Sequence, residues 1–231
     1  MAKRPVVALR QWAGVEHQHA QTLRVPDPRP KSEAGTAFAF SSVMELKQAI
    51  RARHAVRSYS RQAVDEHAIR LLLEAAIRAP SARNEQPWAF AIVQNRAQLE
   101  RYSDRAKADF LARAAATGEA AASARLLRDE SFNVFYDAGT LIVICTTEQS
   151  HYAEADCWLS AQNLMLAACD LGLGTCPIGL SVPVLNTAQA KSELSIPERG
   201  AAIAPIVVGY PSGPAALAMP RSAPRILSWR H

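Results

Sequence analysis

The chain has 231 residues, which is enough for one sizeable α/β domain or two small ones. Hydrophobic residues make up 49% of it and charged residues 20%, a balance that supports a buried core and excludes a compositionally disordered protein. The formal net charge is +5, but the arginines are scattered and alternate with acids, so we favour an anionic small ligand over nucleic acid as the partner.

Membrane insertion and secretion are not predicted. The most hydrophobic runs, TLIVICT at 140–146 and AAIAPIVVG at 201–209, have the length of strands rather than of membrane spans. The N-terminus carries basic residues but only a broken apolar run, so we expect a cytoplasmic protein. The cysteines show neither CxxC nor zinc-site spacing and are expected to be buried free thiols: Cys145, Cys157, Cys169 and Cys176.

Two regions are predicted from proline content and periodicity. Residues 1–40 contain several prolines and no sustained hydrophobic period, which is typical of an extension outside the folded body. Residues 41–231 carry the periodic segments and are predicted to form one domain. His17 and His19 have no third partner in view, so a metal site is not expected.

The domain is predicted to begin with two helices. Asp65 is a suitable cap for the second helix, which would end at Ala79 because the residue before a proline avoids the helical region. Ser41 and Ser42 are suitable caps for the first helix, which would run to about His54 with an apolar face formed by Val43, Leu46, Ala49 and Ile50.

The remaining segments alternate between strands and helices. Gly172 and Gly174 provide the stop signal for a long, mostly apolar helix that starts near residue 151. Further helices are predicted near 97–130 and 183–193, and strands at 88–94, 140–146 and 201–211. This order of elements predicts an α+β fold with a central sheet flanked by helices.

Four stretches carry candidate binding groups, and the first is RARHAVRS at 51–58. Arg51, Arg53 and Arg57 cluster with His54 where the first helix is predicted to end. Guanidinium groups bind phosphate through paired donors. Cations also suit a helix C-terminus because of its dipole, and the residues alone favour that reading.

The second stretch is APSARNEQPW at 79–88, between a predicted helix and a predicted strand. Asn84 and Gln86 each offer a donor and an acceptor, as needed to read the edge of a heterocycle, and Ser81 offers a hydroxyl group. The same side chains could instead satisfy the backbone of an ordinary connecting loop. The residues alone leave both readings open.

The third and fourth stretches are GLGTCPIG at 172–179 and MPRSAPRILSW at 219–229. The glycines of the third follow a helix rather than a strand, which excludes a dinucleotide fingerprint and leaves a turn where the backbone can approach a flat ligand. Helix capping and a tight turn explain Gly172 and Gly174 but account less well for CPIG. A tail arginine could close on the same anion as the first cluster, although a surface arginine is the simpler reading.

The order and spacing of these stretches resemble the nitroreductase family of FMN-dependent oxidoreductases. The resemblance covers about residues 43–231, and its most specific parts are APSxxNxQPW and QNLxLAAxxLGLG. It implies a nitroreductase-like FMN-binding fold with a mostly antiparallel sheet. It also implies an intertwined homodimer with two FMN sites, each built from both subunits.

The resemblance further implies which residues bind the cofactor. The segment that holds the FMN phosphate and ribityl chain matches Arg53, His54, Ala55 and Arg57. The tail arginine of the phosphate clamp matches Arg221, with Arg225 as a weaker candidate. The loop that reaches the flavin from the partner subunit matches Pro80, Ser81, Ala82 and Asn84. The turn over one isoalloxazine face, whose glycine N–H would donate to flavin N5, matches Pro177, Ile178, Gly179 and Leu180.

The chain departs from the family pattern in two places. Position 55 is alanine where the pattern has serine, so one hydroxyl contact is lost. Some members also carry an asparagine and a lysine before the second core strand to read the pyrimidine edge of the flavin. Here that region is DESFNVFYDAG, with Asn133 and no lysine, so Asn133, Arg83 or backbone groups are the candidates for that role.

The resemblance implies an enzyme in which FMN carries the redox chemistry and no side chain acts as nucleophile or acid–base catalyst. NADH or NADPH would reduce the flavin and leave, and a nitroaromatic, a quinone or a related flat electrophile would then be reduced, in a ping-pong cycle. Dehalogenation, enoate reduction and flavin fragmentation on the same fold remain alternatives. A non-catalytic module that binds flavin or nucleic acid is another.

Overall fold

The computed structural model describes residues 44–117, 121–148, 150–213 and 220–230. The predicted extension at 1–40 and the predicted caps Ser41 and Ser42 lie outside these ranges. Within them the helices are α1 (Leu46–Ala52), α2 (Glu66–Ala76), α3 (Arg96–Thr117), α4 (Ala121–Leu127), α5 (Ala153–Asp170), α6 (Val182–Leu185) and α7 (Ala188–Glu193). The strands are β1 (Trp88–Val93), β2 (Thr140–Thr146), β3 (Gly174–Pro177) and β4 (Ala201–Gly209).

The strands form one antiparallel sheet in the order β1-β2-β4-β3. The inner strand β2 is buried at every residue, as its continuous apolar run predicts. Trp88 of β1 pairs with Thr146 of β2, and Gly174 of β3 pairs with Gly209 of β4. The predicted α+β fold with a mostly antiparallel sheet flanked by helices is confirmed.

The three predicted strands are present as β1, β2 and β4, but the prediction of only a turn at 172–179 was wrong, because the strand β3 lies there. GTCP is short, begins with glycine and ends with proline, and therefore carries no local strand signal. Its geometry comes from pairing. One side of β3 binds β4, and the other side binds the extended chain at 55–56, whose Val56 N–H donates to the Thr175 carbonyl oxygen at 3.0 Å.

The sheet separates two apolar cores. On one face, alternate residues of β2 and β4 pack against α2 and α5, and this core includes Ile142, Ile144, Leu164, Ile206 and Leu72. On the other face, the remaining residues of the same strands pack against α3, α6 and the segment before β2, and this core includes Leu141, Val143, Tyr102, Phe135 and Leu185. The alternation follows from the period of two along each strand.

Two predicted helix signals are confirmed. The Asp65 carboxylate accepts a hydrogen bond from the N–H three residues further on, at 2.9 Å, and so caps α2. α5 closes in a Schellman motif, in which Gly172 has a φ of 68° and the next N–H donates to the Ala168 carbonyl oxygen. The first two helices are shorter than predicted, since α1 ends at Ala52 and α2 at Ala76. The segments predicted as single helices at 97–130 and 183–193 each contain two.

Apolar side chains on two neighbouring helices remain exposed. Ala49 of α1 is buried, but Leu46 is 65% exposed and Ile50 is 56% exposed. Trp158 and Leu159 of α5, which packs against α1, are exposed as well. Single exposed apolar residues are ordinary, whereas several on adjacent helices are typical of protein–protein contact surfaces.

None of the described helices is long and apolar enough to cross a membrane. All four cysteines are free thiols, as predicted; Cys169 is half-buried and the others are buried. Burial raises the pKa of each thiol, to about 12 for Cys157, so these side chains serve packing rather than nucleophilic chemistry. Among the residues that the structure describes, no group of His, Cys, Asp and Glu is arranged to hold a metal ion.

Candidate functional site

The cationic segment, residues 53–57, begins where α1 ends. Arg53 caps the helix with a ψ of 119°, so the chain leaves the helical path there and runs beside β3. Ala55 lies opposite Thr175, and the N–H of the following residue donates to the Thr175 carbonyl oxygen. The cationic segment therefore lies directly beside the strand that leads into residues 177–180.

Gly174 makes this close approach possible. A Cβ atom at Gly174 would lie 2.8–2.9 Å from the side-chain carbons of Val56, which is closer than real contacts allow. Any larger residue would push the extended segment away from β3. Gly174, which the sequence predicted as part of a helix stop signal, is therefore required for packing beside the cationic segment.

The charges of two arginines act on the region between α5 and β3. Arg57 is exposed, and its guanidinium opposes the burial that raises the pKa of the Cys176 thiol in β3. Arg53 is half-buried, and its guanidinium has the same effect on the pKa of Cys169 near the end of α5. Both positive charges therefore act on the region between α5 and β3, and guanidinium groups are suited to binding an anion.

His54 is oriented by the backbone of its own segment. Its Nδ1 lies 2.8 Å from the Ala52 carbonyl oxygen, which can only accept, so Nδ1 carries the hydrogen. In the neutral ring Nε2 is then a hydrogen-bond acceptor. Since His54 is only half-buried, a hydroxyl group of a ligand can reach Nε2.

The turn at 177–180 is fixed on both sides of Gly179. The Ile178 N–H donates to the Pro205 carbonyl oxygen at 2.8 Å, and the Ser181 hydroxyl donates to the Ile178 carbonyl oxygen at 2.8 Å. Gly179 is exposed, and a Cβ atom there would meet no atom within 4 Å. Its N–H opens a short 3-10 turn and has no acceptor among the described residues. Protein packing does not require glycine here, so the open space and the donor are available to a ligand.

The loop at 81–86 is strained. Arg83, Asn84 and Gln86 have φ values of 53°, 57° and 48°, in the left-handed region. This conformation costs about 1–2 kcal/mol per residue for most side chains and less for asparagine. The Ser81 hydroxyl accepts from the Gln86 N–H at 3.0 Å, and Gln86 Nε2 donates to Asn84 Oδ1 at 3.1 Å. The side chains do satisfy the loop, but backbone strain of this extent is typical of binding sites and favours the binding reading.

One buried carboxylate attaches this loop to the body of the protein. Asp156 lies in the first turn of α5 and is only 4% exposed. Its Oδ1 and Oδ2 lie 3.3 Å and 3.2 Å from the Ala82 nitrogen, so both oxygens share one N–H donor. Among the described residues, no other donor is within hydrogen-bond distance of this carboxylate.

The loop at 81–86 and the turn at 177–180 lie at opposite edges of the sheet. The loop leads into β1, the first strand of the sheet, and the turn follows β3, the last strand. Three strand spacings separate β1 from β3, which is about 14 Å. Within one chain the fold therefore brings the cationic segment and the turn together, but it leaves Pro80, Ser81, Ala82 and Asn84 apart from both.

An apolar cavity of about 290 Å³ opens beside residues 177–180. Its other walls come from α3, α4 and the segment before β2: Phe110, Leu126, Leu127, Phe132, Val134 and Tyr136. The Tyr136 hydroxyl is the only polar side-chain group among these lining residues. A flat, uncharged aromatic molecule matches this lining, because it would bury apolar surface without leaving a charge unpaired.

The segment at 130–137 forms one wall of this cavity in an unusual conformation. Tyr136 and Asp137 have φ values of 55° and 58°, in the left-handed region. Lys107 of α3 is 9% exposed, and its Nζ donates to two backbone carbonyl oxygens of this segment at 3.0 Å and 3.3 Å. The rings of Phe132 and Tyr136 meet edge to face with centroids 5.9 Å apart. The hydrogen bonds from Lys107 and the contact between the two rings therefore fix the conformation of this wall.

Three other predicted residues lie elsewhere. Asn133 closes a local turn, with Oδ1 accepting from the Phe135 N–H at 2.8 Å, and lines a separate polar cavity of about 300 Å³. Arg83 is exposed on the strained loop. Arg221 lies in the exposed segment 220–230 and makes no hydrogen bond or ion pair with the residues that the structure describes.

The sequence did not identify the cavity wall or the carboxylate behind the loop. Phe110 and Lys107 belong to an ordinary helical pattern, and nothing local relates position 82 to position 156. The aromatic density of FNVFY at 132–136 was the one available signal, since three aromatic residues in a short connection need a place to pack.

The sequence profile of the nitroreductase family matches residues 50–210. A curated protein of Methanothermobacter thermautotrophicus, provisionally named an NADH dehydrogenase/NAD(P)H nitroreductase, is 29% identical over 176 residues, which are 74% of this chain and 80% of that protein. The fold is similar to that of a nitroreductase with bound FMN from Bacteroides fragilis, with a TM-score of 0.69 and 24% identity over 81% of this chain and 100% of that one. It is also similar to an FMN-dependent nitroreductase from Mycobacterium smegmatis in complex with NADPH, with a TM-score of 0.59 and 25% identity over 77% and 93% of the two chains.

Proposed function

The chain belongs to the nitroreductase family, and we propose that it is an FMN-dependent oxidoreductase that takes electrons from NADH or NADPH and reduces flat aromatic acceptors. The observation that carries this proposal is the pairing of Ala55 and Val56 with Thr175 of β3, which sets the cationic segment beside the strand that leads into the turn at 177–180 and its apolar cavity. Such a site suits a ligand with an anionic tail and an aromatic ring system. The FMN-dependent relative in complex with NADPH supports the choice of cofactor and donor.

The cationic segment fits the polar half of FMN. Arg53 and Arg57 would bind the phosphate, because guanidinium groups form paired, charge-assisted hydrogen bonds with phosphate oxygens. His54 Nε2 would accept a hydrogen bond from a ribityl hydroxyl group. Ala55 can offer only backbone groups, and Arg221 would join the phosphate from the exposed C-terminal segment.

The turn at 177–180 fits the ring of FMN. The Gly179 N–H would donate to the ring, since it has no acceptor among the described residues and no Cβ atom stands in front of it. A fixed N–H donor at the ring edge stabilises negative charge that develops there. When bound, FMN supplies the two-electron redox chemistry, so the chain needs no nucleophile or acid–base pair of its own.

The apolar cavity beside the turn selects the acceptor. Its lining carries no charged side chain, so a neutral quinone or nitroaromatic compound would enter it more readily than a charged one. The rings of Phe110, Phe132 and Tyr136 offer aromatic surface to such a molecule. The residues of this wall would also exclude water from the face at which the acceptor is reduced.

The enzyme acts as a homodimer in which loop 81–86 of one subunit completes the site of the other. The separation of this loop from the turn at 177–180 across the sheet supports sharing, because one chain alone does not bring the two together. The exposed apolar residues of α1 and α5 support a subunit interface on that side of the protein.

The visible absorbance spectrum of the purified protein tests the proposal. A two-band flavin spectrum that bleaches on anaerobic addition of NADH or NADPH, and recovers when a quinone or nitroaromatic compound is added, is the expected result. A colourless protein that cannot be reconstituted with FMN would contradict the cofactor. Reduced enzyme that is reoxidised by dioxygen faster than by any such acceptor would contradict the acceptor class.

A further inference from the structure

We infer that Asp156 is a positioning residue, whose buried carboxylate holds loop 81–86 in the strained conformation in which the loop contacts FMN of the partner subunit. The inference rests on the proposed function for the flavin contact. That Asp156 fixes the position of the loop is inferred from the geometry of this chain alone.

The environment of Asp156 is unusual for a carboxylate. A charged group that is 4% exposed is expected to have several donors, because a carboxylate has about four sites that can accept hydrogen bonds. Among the described residues Asp156 has only the Ala82 N–H, shared between its two oxygens at 3.2 Å and 3.3 Å. The N-terminus of α5 favours a negative charge at this position but does not explain why the side chain is directed at the loop.

The loop needs a contact with another element to keep its conformation. Its internal side-chain hydrogen bonds join Ser81 to Gln86 and Gln86 to Asn84, and its backbone bonds are internal as well, so all of them can form in a loop that has moved as a whole. Arg83 and Gln86 occupy left-handed φ values that such side chains rarely adopt. Among the described residues, the bond to Asp156 is the only side-chain hydrogen bond that joins the loop to another element. Losing it would free the loop to relax toward ordinary backbone angles.

Two alternative roles can be separated from positioning. If Asp156 served only as a first-turn acid of α5, then Glu154, which is exposed in the same turn, would have an equal effect. If burial of a charge were the only effect, removal of the charge would not change loop motion. Asp156→Asn keeps an oxygen that accepts from the Ala82 N–H, whereas Asp156→Ala removes the acceptor.

The experiment compares Asp156→Ala, Asp156→Asn and the control Glu154→Ala in the full chain. Hydrogen–deuterium exchange of peptides covering 80–88 is measured in the apo protein, and FMN affinity is measured separately by titration. We expect Asp156→Ala to speed exchange of the loop amides at least about tenfold and to raise the FMN Kd roughly 10- to 100-fold, as loss of a charge-assisted hydrogen bond implies. Asp156→Asn should lie between Asp156→Ala and the wild type, and Glu154→Ala should match the wild type in both measurements.

Each contrary result overturns a distinct part of the inference. Loop exchange in Asp156→Ala equal to that of the wild type would overturn positioning, whether or not FMN binds. Faster loop exchange with an unchanged FMN Kd would overturn the flavin contact. A wild-type chain that binds no FMN would overturn the proposed function, and the exchange measurement would still decide the hold on the loop. Should Asp156→Ala not fold, Asp156→Leu, which removes the acceptor but fills the buried space, takes its place, and loop exchange equal to that of the wild type then overturns positioning.

Discussion

Substitution of Gly179 by alanine is expected to weaken FMN binding while leaving the fold intact. The added Cβ atom would meet no protein atom within 4 Å, and the φ of Gly179 is not in the left-handed region. The free energy of unfolding of the apo protein should therefore fall by less than about 0.5 kcal/mol. It could rise by about 0.4–1 kcal/mol, because alanine restricts the unfolded chain more than glycine does.

The same Cβ atom stands where the flavin ring is proposed to lie. Inserting a methyl group into a close-packed contact costs about 1–3 kcal/mol. If the whole cost falls on the bound state, the FMN Kd rises roughly 5- to 150-fold. The effect on binding is thus expected to exceed the effect on folding, although the substitution is the smallest available.

Two neighbouring glycines provide matched controls because each is required for a different reason. At Gly174 the new Cβ atom would lie 2.8–2.9 Å from Val56 side-chain carbons, so Gly174→Ala should destabilise the apo protein by about 1–3 kcal/mol. At Gly172, which has a φ of 68° and open space around it, alanine should destabilise the protein by about 1–2 kcal/mol through backbone strain alone.

Urea unfolding of the three apo variants, with FMN titration of each, checks these expectations. The reasoning is refuted if Gly179→Ala lowers the stability of the apo protein by more than about 1 kcal/mol, since a typical surface change stays well below that. An FMN Kd equal to that of the wild type would also refute it, because the space in front of Gly179 would then not belong to the flavin.

Three further predictions concern the anion, the acceptor and the fold. Arg57→Ala should raise the FMN Kd roughly 10- to 150-fold by removing a charge-assisted partner of the phosphate, whereas Arg61→Ala, an exposed arginine nearby, should not; equal effects in titration would contradict the clamp. Leu126→Trp should fill part of the apolar cavity and raise KM for a neutral quinone about tenfold in steady-state assays, while ferricyanide reduction stays unchanged; equal effects on both acceptors would argue against the cavity as their site. The bond from the Ala68 N–H lowers the pKa of Asp65 below its usual value, so this cap stabilises the fold above the ordinary carboxyl range and loses its effect as pH falls through the lowered pKa. Asp65→Ala should therefore cost about 1 kcal/mol near neutral pH and less near pH ~3 in urea unfolding, and a cost that does not change with pH would count against the cap.

Elements with strong local signals were predictable from the sequence. The continuous apolar run of β2 could only be a buried element of strand length, and Asp65 and Gly172 fixed the start of α2 and the end of α5 through capping chemistry. The family resemblance, which rested on the order of short stretches, predicted the α+β architecture correctly. These features depend on neighbours in the sequence, so a reader of the sequence has the necessary information.

Features that arise from distant pairing were not predictable in the same way. β3 is a strand because β4 and the chain at 55–56 both bind it, and neither partner is adjacent to it in sequence. An apolar helix face is usually inferred to be buried, but Leu46 and Ile50 are exposed. Periodicity alone cannot distinguish a face that packs within the chain from one that does not. The left-handed loop at 81–86 contains no glycine, so composition gave no sign of its strain.

The placement of the loop and the turn at opposite edges of the sheet has a genetic consequence. If each site takes one part from each subunit, damage to the turn and damage to the loop are carried by different subunits in a mixed dimer. A subunit with Gly179→Ala paired with a subunit with Asp156→Ala would then form one site with both lesions and one site with neither. Two weakened alleles expressed together should thus restore activity that neither restores alone, and co-purified mixed dimers with differently tagged subunits would reveal it as recovered tight FMN binding at half of the sites.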